Sequence, residues 1–287
     1  MTVIAVDWSG RAVGSRRYIW LAEARSGALL RLEPGRTRSD IAEHLIALAD
    51  DDPALVVGFD FSFSLPAWFL DERGLATADA LWEVATRDGE AWLRVCEAPF
   101  WGRPGHARPE LAAHLRVTEA RLAAVSGIAP KSTFQIGGAG SVGTGSIRGF
   151  PILRQLRAAG FAVWPFHAPA QSPLAIEIYP RALTGAVVKS SAPARAEYLA
   201  LHFADLDPAL RDVAGASEDA FDAAVSAIVM SRHQDELLAL PAIDDAVACR
   251  EGKVWVPAYA ASASWSRPSD ASMSGCRMVS SGAEVVE

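Results

Sequence analysis

The stretch VIAVDWSGR, residues 3 to 11, begins as an apolar run and ends with an acid, a tryptophan and a Ser-Gly pair. Its β-branched residues predict a buried strand over residues 2–7, bounded by a turn at Ser9 and Gly10. An acid at the end of such a strand, here Asp7, either caps a turn or takes part in chemistry. The remainder of the sequence is needed to distinguish these two interpretations.

Three further strands and a helix are predicted next to this stretch. Strands over 16–25 and 27–34 are joined by a short hairpin signal, and the apolar spacing over 38–51 is helical. The stretch ALVVGFDFSFSLP, residues 54–66, is almost wholly apolar up to Asp60, as expected for a strand that is covered on both faces. A right-handed crossover would place this fourth strand beside the first and parallel to it.

The rest of the chain continues as an α/β pattern. We expect mainly helical structure over 67–127, a glycine-rich loop over 136–149 followed by a helix, short strands over 161–166 and 174–180, and a last helix over 217–233. From about Ala258 the sequence is Ser-rich and loses periodicity. The predicted organisation is one domain over 1–257, with a helical and glycine-rich insertion at about 67–160, and a disordered or loosely attached tail over 258–287.

The bulk composition favours a soluble, cytoplasmic protein. Of 287 residues, 51% are hydrophobic and 21% are charged, which is sufficient for a packed core. We find neither a signal-peptide pattern nor an apolar run near the roughly 20 residues that a membrane span needs. The net charge of −7 disfavours a generic nucleic-acid coat.

The charge is unevenly distributed along the chain. Residues 103–157 contain eight Lys or Arg and two Glu, a local balance of 8 − 2 = +6. Such a stretch is either a surface that faces phosphate groups or an arginine-rich helix surface without a binding role. Composition alone leaves both interpretations open.

Acids gather where a ligand is expected. Asp7 and Asp60 both end strands that should be adjacent and parallel, at the edge where open α/β sheets bind ligands. Asp219 and Asp222 are neighbours on one face of the last helix, with Asp222 at the edge of the apolar stripe. Asp219 could instead be an acid that the helix dipole favours in the first turn. A divalent cation would relieve the repulsion between converging carboxylates.

Glu177 is another acid inside an apolar strand, LAIEIYP, residues 174–180. The alternation of the strand places it on the face opposite Leu174 and Ile176. It is either a further metal ligand or a partner for Arg181.

Four segments together resemble the DUF429 family, a group of uncharacterised predicted nucleases with a ribonuclease H-like fold. They are VIAVDWSGR, VVGFDFSFSLP, IEIYPRAL and SEDAFDAAVSAI, and the resemblance covers roughly residues 2–240. It implies an α/β, ribonuclease H-like mixed sheet of three antiparallel strands, a crossover helix and parallel strands. The late acid pair is also similar to that of Holliday-junction resolvases of the same superfamily. Many nucleases of this fold carry a glutamate where this chain has Asp60.

The resemblance implies a metal-dependent nuclease. One or two Mg²⁺ (or Mn²⁺) ions at Asp7, Asp60, Asp219 and Asp222 would promote hydrolysis of a phosphodiester in DNA or RNA. We expect the substrate to contact Ser9, Lys131, Arg148 and Arg181. The aromatic residues Trp68, Phe100 and Trp101 either stack on bases or pack in the core.

Two other classes of function stay open. The actin-like sugar kinases and ATPases use a duplicated form of the same fold, and DWSGR with GGAGSVGTGS could bind phosphates through backbone N–H groups. This chain shows no second strand trio with its own acid, and no lysine completes a G-x-x-x-x-G-K-[ST] loop. A non-catalytic nucleic-acid-binding or scaffold protein, in which the acids are structural caps, is the third alternative.

Overall fold

The computed structural model describes residues 1–111, 113–169 and 173–261. These residues form an α/β structure around one mixed sheet of seven strands. The strands are β1 (Val3–Asp7), β2 (Trp20–Arg25), β3 (Ala28–Pro34), β4 (Val56–Phe59), β5 (Ala162–Val163), β6 (Leu174–Ile178) and β7 (Val254–Trp255). Their order is β3-β2-β1-β4-β6-β5, with β7 also paired to β6.

The pairing directions follow the predicted pattern. Strands β1, β2 and β3 are consecutive antiparallel neighbours. Strand β4 lies parallel to β1, and β6 lies parallel to β4, β5 and β7. The predicted antiparallel trio and the parallel return beside β1 are therefore confirmed.

The helices surround this sheet. They are α1 (Arg38–Asp51), α2 (Ala67–Glu72), α3 (Ala78–Val95), α4 (Val117–Arg121), α5 (Val142–Ala158), α6 (Pro180–Thr184), α7 (Ala192–His202), α8 (Pro208–Ala216), α9 (Glu218–Arg232), α10 (Gln234–Leu238), α11 (Ala248–Glu251) and α12 (Ala258–Ala261). A short 3₁₀ helix, Ser15–Arg17, precedes β2, so this strand begins at Trp20 rather than at residue 16.

Strand β1 separates two apolar cores, which explains why its sequence is apolar at every position up to Asp7. Ile4 and Val6 pack in one core together with residues of α1, α3 and α5. Val3 and Ala5 pack in the other core together with residues of α9. Because successive side chains of a strand point to opposite faces, a strand covered on both sides buries all of them.

The predicted fourth strand is too long, since β4 ends at Phe59 and residues 60–66 are irregular. Side chains take the place of a strand partner there. The backbone N–H of Ser62 donates to Ser146 Oγ at 3.1 Å, and that of Phe63 donates to Glu177 Oε2 at 2.9 Å. The segment stays buried because its backbone polar groups find these acceptors.

The glycine-rich loop predicted over 136–149 is wrong in its second half, because α5 begins at Val142. The helical glycines serve close packing. A Cβ at Gly149 would lie 2.3 Å from the ring of Phe61, and one at Gly143 would lie 2.1 Å from the carbonyl oxygen of Thr133. Their sequence signal is that of a loop, but their role is to admit neighbouring groups against the helix.

The insertion and the tail also differ from expectation. The region predicted as mainly helical contains α2, α3 and α4, and residues 96–111 and 113–116 between α3 and α4 are not helical. Residues 258–261 of the predicted tail form α12, and residues 262–287 lie outside the described residues.

Candidate functional site

Asp7 and Asp60 lie together at one edge of the sheet. Asp7 is the last residue of β1, and Asp60 follows the last residue of β4. The backbone N–H of Asp60 donates to the carbonyl oxygen of Val6 at 3.1 Å, which continues the parallel pairing to this point. The sequence prediction that two neighbouring parallel strands end in acids is therefore confirmed.

Helix α9 adds the other two acids of the candidate site. It packs across β1, β2 and β3, and it begins after Ser217, whose Oγ accepts from the backbone N–H of Ala220 at 3.0 Å. Asp222 is only 8% exposed, whereas Asp219 in the first turn is partly exposed. We call the carboxylates of Asp7, Asp60, Asp219 and Asp222 the acid cluster.

The electrostatics show that these four acids act on one another. Burial raises the pKa of Asp7 well above its usual value, and the charges of Asp60, Asp222 and Asp219 raise it further. Burial also raises the pKa of Asp60 to about 7, with Asp222 as the next cause. Within the described ranges, the carboxylates of Asp7 and Asp60 accept no hydrogen bond and form no ion pair.

One cation, Lys189, enters the acid cluster, and sequence reasoning missed it. It follows α6 in the stretch GAVVKSS, and its Nζ donates to Asp222 Oδ2 in an ion pair. The side chains are 10% and 11% exposed. Burial raises the pKa of Asp222, while Lys189 lowers it. A single lysine 33 residues away from its partner gives no local pattern that could have identified the pair.

The donor atoms of the acid cluster resemble in part those of a metal site. Its oxygens are of the kind that Mg²⁺ prefers, and Oδ1 of Asp222 is buried without a hydrogen-bond partner among the described residues. In that same part of the chain, no three His, Cys, Asp or Glu side chains stand together as a complete metal-binding group. The oxygen donors are of the kind that suits a hard cation, but they are not arranged as a complete metal-binding group, and Lys189 holds the other oxygen of Asp222.

Glu177 is held by Arg116, not by Arg181. The Arg116 guanidinium is fully buried and donates to both oxygens of Glu177, to Glu119 and to the carbonyl oxygen of Glu251. With the N–H of Phe63 also bonded, both carboxylate oxygens of Glu177 are occupied by donors. Glu177 is therefore not among the candidate metal ligands of the acid cluster. Arg181 instead donates to the carbonyl oxygens of Gly185 and Val187.

A cleft of about 300 Å³ opens beside Asp60. Its lining includes Lys131, Tyr179 and Ser141, the residue that precedes α5. Burial raises the pKa of Tyr179, and the nearby Asp60 carboxylate raises it further. Of the four acids in the acid cluster, Asp60 alone lines this cleft, together with a cationic and a phenolic side chain.

The other residues predicted to contact substrate are engaged within the protein. Arg148 pairs with Glu90 through Nε at 2.6 Å and also donates to the carbonyl oxygen of Gly10. Ser9 is 8% exposed, and its Oγ accepts from the backbone N–H of Arg11 at 3.3 Å. Of the four predicted residues, Lys131 is the one that lines the cleft.

The predicted base-stacking aromatics pack inside the protein. Phe100 is 4% exposed and contacts Phe69, with ring centroids 5.7 Å apart. Trp68 Nε1 donates to the carbonyl oxygen of Ala113 at 2.7 Å, and Trp101 is partly buried against the same core. Core packing, the alternative left open by the sequence, describes these three side chains.

Among the described residues, no helix combines the length and apolar character that a membrane crossing requires.

Comparison with known proteins identifies no relative. No family model, no curated protein and no solved structure matches this chain.

Proposed function

We propose that this protein is a divalent-metal-dependent nuclease that hydrolyses phosphodiester bonds at the acid cluster. The observation that carries the proposal is the buried carboxyl of Asp7, which stands among three other acids without a hydrogen-bond donor from the described residues. Burying like charges without compensation costs free energy. A bound divalent cation would offset that cost, and the carboxylate oxygens have the chemistry to hold it.

The strand arrangement supports a ribonuclease H-like fold as part of this proposal. Three antiparallel strands are followed by a crossover helix and by parallel strands beside β1. This is the arrangement that the resemblance to the DUF429 family implies. The acids also lie on the elements that the resemblance assigns to them, namely β1, the end of β4 and the late helix α9.

Each residue has a distinct part in the proposed reaction. A bound Mg²⁺ or Mn²⁺ would supply Lewis-acid polarisation of the phosphodiester. Asp7, Asp60 and Asp222 are the carboxylates that would bind the ion, with Asp219 at the rim. Since no three acids of the described residues stand together as a metal-binding group, these carboxylates would have to close around the ion when it binds. Because Asp60 lines the cleft, its carboxylate is the one that a bound substrate meets first, and Lys131 would neutralise a phosphate there.

The phosphotransferase alternative loses part of the phosphate-binding loop expected from the glycine-rich stretch. Half of that stretch is helical in α5, and two of its glycines, Gly143 and Gly149, lie against Thr133 and Phe61. Gly10, Gly140 and Gly145 do line the cleft beside Asp60, so the cleft by itself is compatible with phosphate binding in either chemistry. The non-catalytic alternative is distinguished by the experiment below.

Cleavage of nucleic acid tests the proposal directly. The full chain is incubated with single- and double-stranded DNA and RNA in Mg²⁺ or in Mn²⁺, alongside Asp7→Asn and the control Asp212→Asn. Asp212 is an exposed acid of α8, so its amide variant changes net charge equally. We expect cleavage by wild type and control, and a rate at least about 100-fold lower for Asp7→Asn.

The possible failures are distinct. Salt-sensitive binding without cleavage in either metal would contradict the nuclease and support a nucleic-acid-binding protein. ATP hydrolysis that nucleic acid does not alter would support a phosphotransferase instead.

A further inference from the structure

Lys189 lies in the connection between α6 and α7 and contacts the acid cluster at Asp222. Its Nζ donates to Asp222 Oδ2, and its side chain is 10% exposed. A lysine ammonium that is removed from water needs a carboxylate partner. The Lys189–Asp222 pair is therefore a nearly buried ion pair at the acid cluster rather than a surface contact.

Two arginines fix the backbone that presents Lys189. Arg181 Nη1 donates to the carbonyl oxygens of Val187 at 2.7 Å and of Gly185 at 3.3 Å. Arg195, which is 5% exposed, donates to the carbonyl oxygen of Lys189 itself and to that of Gly215 at 3.0 Å. Because these guanidinium groups bind the connection by its carbonyl groups, Lys189 is delivered to Asp222 from a constrained backbone.

Lys189 pairs with one of the four carboxylates. Its ammonium contacts Asp222, whereas Asp7, Asp60 and Asp219 form no ion pair with any described residue. Most of the acid cluster is therefore left without a direct cationic partner.

One carboxylate oxygen of Asp222 is left for a second cation. Its Oδ2 accepts from Lys189, while its buried Oδ1 has no hydrogen-bond partner among the described residues. An orphaned buried carboxylate oxygen costs free energy unless something binds it. The residue is 8% exposed, so solvent gives it little compensation.

We propose that Lys189 is a built-in cation of the acid cluster, which competes with divalent metal for Asp222 and limits the site to one metal ion. This inference deepens the proposed function and rests on its metal site. The ammonium already supplies a positive charge at one oxygen of Asp222, so a metal ion there must either displace it or use the other oxygen. Removing the ammonium should therefore strengthen metal binding and admit a second ion.

Calorimetric titration of the full chain with Mn²⁺ alone tests the proposal. Lys189→Met removes the ammonium and keeps the length of the side chain. Lys253→Met is the matched control, since it removes an exposed lysine that does not line the cleft and forms no ion pair with the acid cluster. We expect a dissociation constant at least about tenfold lower for Lys189→Met. Its stoichiometry should rise from one ion to two, while the control behaves as wild type.

A second variant covers the case in which Lys189→Met does not fold. Lys189→Gln retains an N–H donor for Asp222 without the charge, and we expect the same gain in Mn²⁺ affinity. Equal affinity and stoichiometry in wild type and in both variants would overturn the proposal. Two Mn²⁺ ions in the wild type would also overturn it.

Failure of the proposed function gives a different result. Mn²⁺ binding that tightens in Lys189→Met, without cleavage of any nucleic acid, would contradict the nuclease and leave the competition at Asp222 established. Absence of Mn²⁺ binding in wild type and in both variants would overturn both proposals.

Discussion

The carboxylate of Asp60 raises the pKa of Asp7 across the adjacent parallel strands β1 and β4. Burial is the larger cause of the shift, and the like charge adds to it. Two neighbouring strands of the sheet thus end in acids, and folding alone does not relieve the repulsion between their carboxylates. The stability of the protein without metal should reflect this repulsion.

We predict that Asp60 makes the metal-free protein less stable as the pH rises. Its pKa is about 7 in the folded protein, against about 3.9 for an unfolded aspartate. Between these pH values the folded state binds more protons than the unfolded state. The stabilising contribution of Asp60 to the free energy of unfolding is therefore fully present below about pH 4 and is lost as the pH rises through 7. Urea unfolding with a chelator at pH 5 and pH 7 measures it.

The matched variant for this prediction is Asp60→Asn, which removes the titrating group. The free energy of unfolding of wild type relative to Asp60→Asn should fall between pH 5 and pH 7, by at most about 1.4 kcal/mol per pH unit. An equal pH dependence of the two proteins would contradict the prediction.

We predict that Asp222 matters more than Asp219 for metal binding. Asp222 is buried with one oxygen unpartnered, whereas Asp219 is partly exposed at the start of α9. Asp222→Asn should weaken Mn²⁺ binding by about 100-fold and Asp219→Asn by about tenfold or less. Calorimetry on both variants measures the difference, and the reverse order would show that the cation lies at the first turn of the helix.

We predict that Arg116 is essential to stability. Its guanidinium is fully buried between Glu119 and Glu177. Arg116→Met leaves two buried carboxylates without their partner, which should lower the free energy of unfolding by about 3–5 kcal/mol. Chemical denaturation measures this loss, with Arg121→Met as the control, since Arg121 is an exposed arginine of α4, the helix that begins directly after Arg116.

A triple variant separates lost charge pairing from lost packing at Arg116. Adding Glu119→Gln and Glu177→Gln to Arg116→Met removes the unpaired charges, so part of the stability should return. If the triple variant is no more stable than Arg116→Met, the loss comes from packing instead.

We predict different effects of alanine at two glycines of α5. A Cβ at Gly149 would meet the ring of Phe61 at 2.3 Å, whereas one at Gly145 would lie 3.6 Å from Trp8. Gly149→Ala should destabilise the protein by about 1–3 kcal/mol through overpacking. Gly145→Ala should be neutral or slightly stabilising, because alanine favours helix. Thermal unfolding compares the two, and equal effects would contradict the close packing at Phe61.

Several elements could be predicted from local pattern because their environment is uniform along the element. The apolar run of β1 is buried on both faces, and α1 has the regular spacing of a one-sided helix, so both match the sequence closely. The predicted strand over 54–66 failed after Phe59, since Ser146 and Glu177 accept the backbone N–H groups there. Those acceptors are 84 and 114 residues away, beyond the reach of any local pattern.

The sequence by itself determined the antiparallel trio, the parallel return of β4 and the placement of Asp7 and Asp60 at neighbouring strand ends, because alternation and chain connectivity dictate them. Only the tertiary structure decided which charged groups meet. It paired Glu177 with Arg116, placed Lys189 on Asp222 and packed the helical glycines against Phe61 and Thr133. Such contacts join residues distant in the chain, and their partners are set by the burial of whole elements rather than by any spacing along one of them.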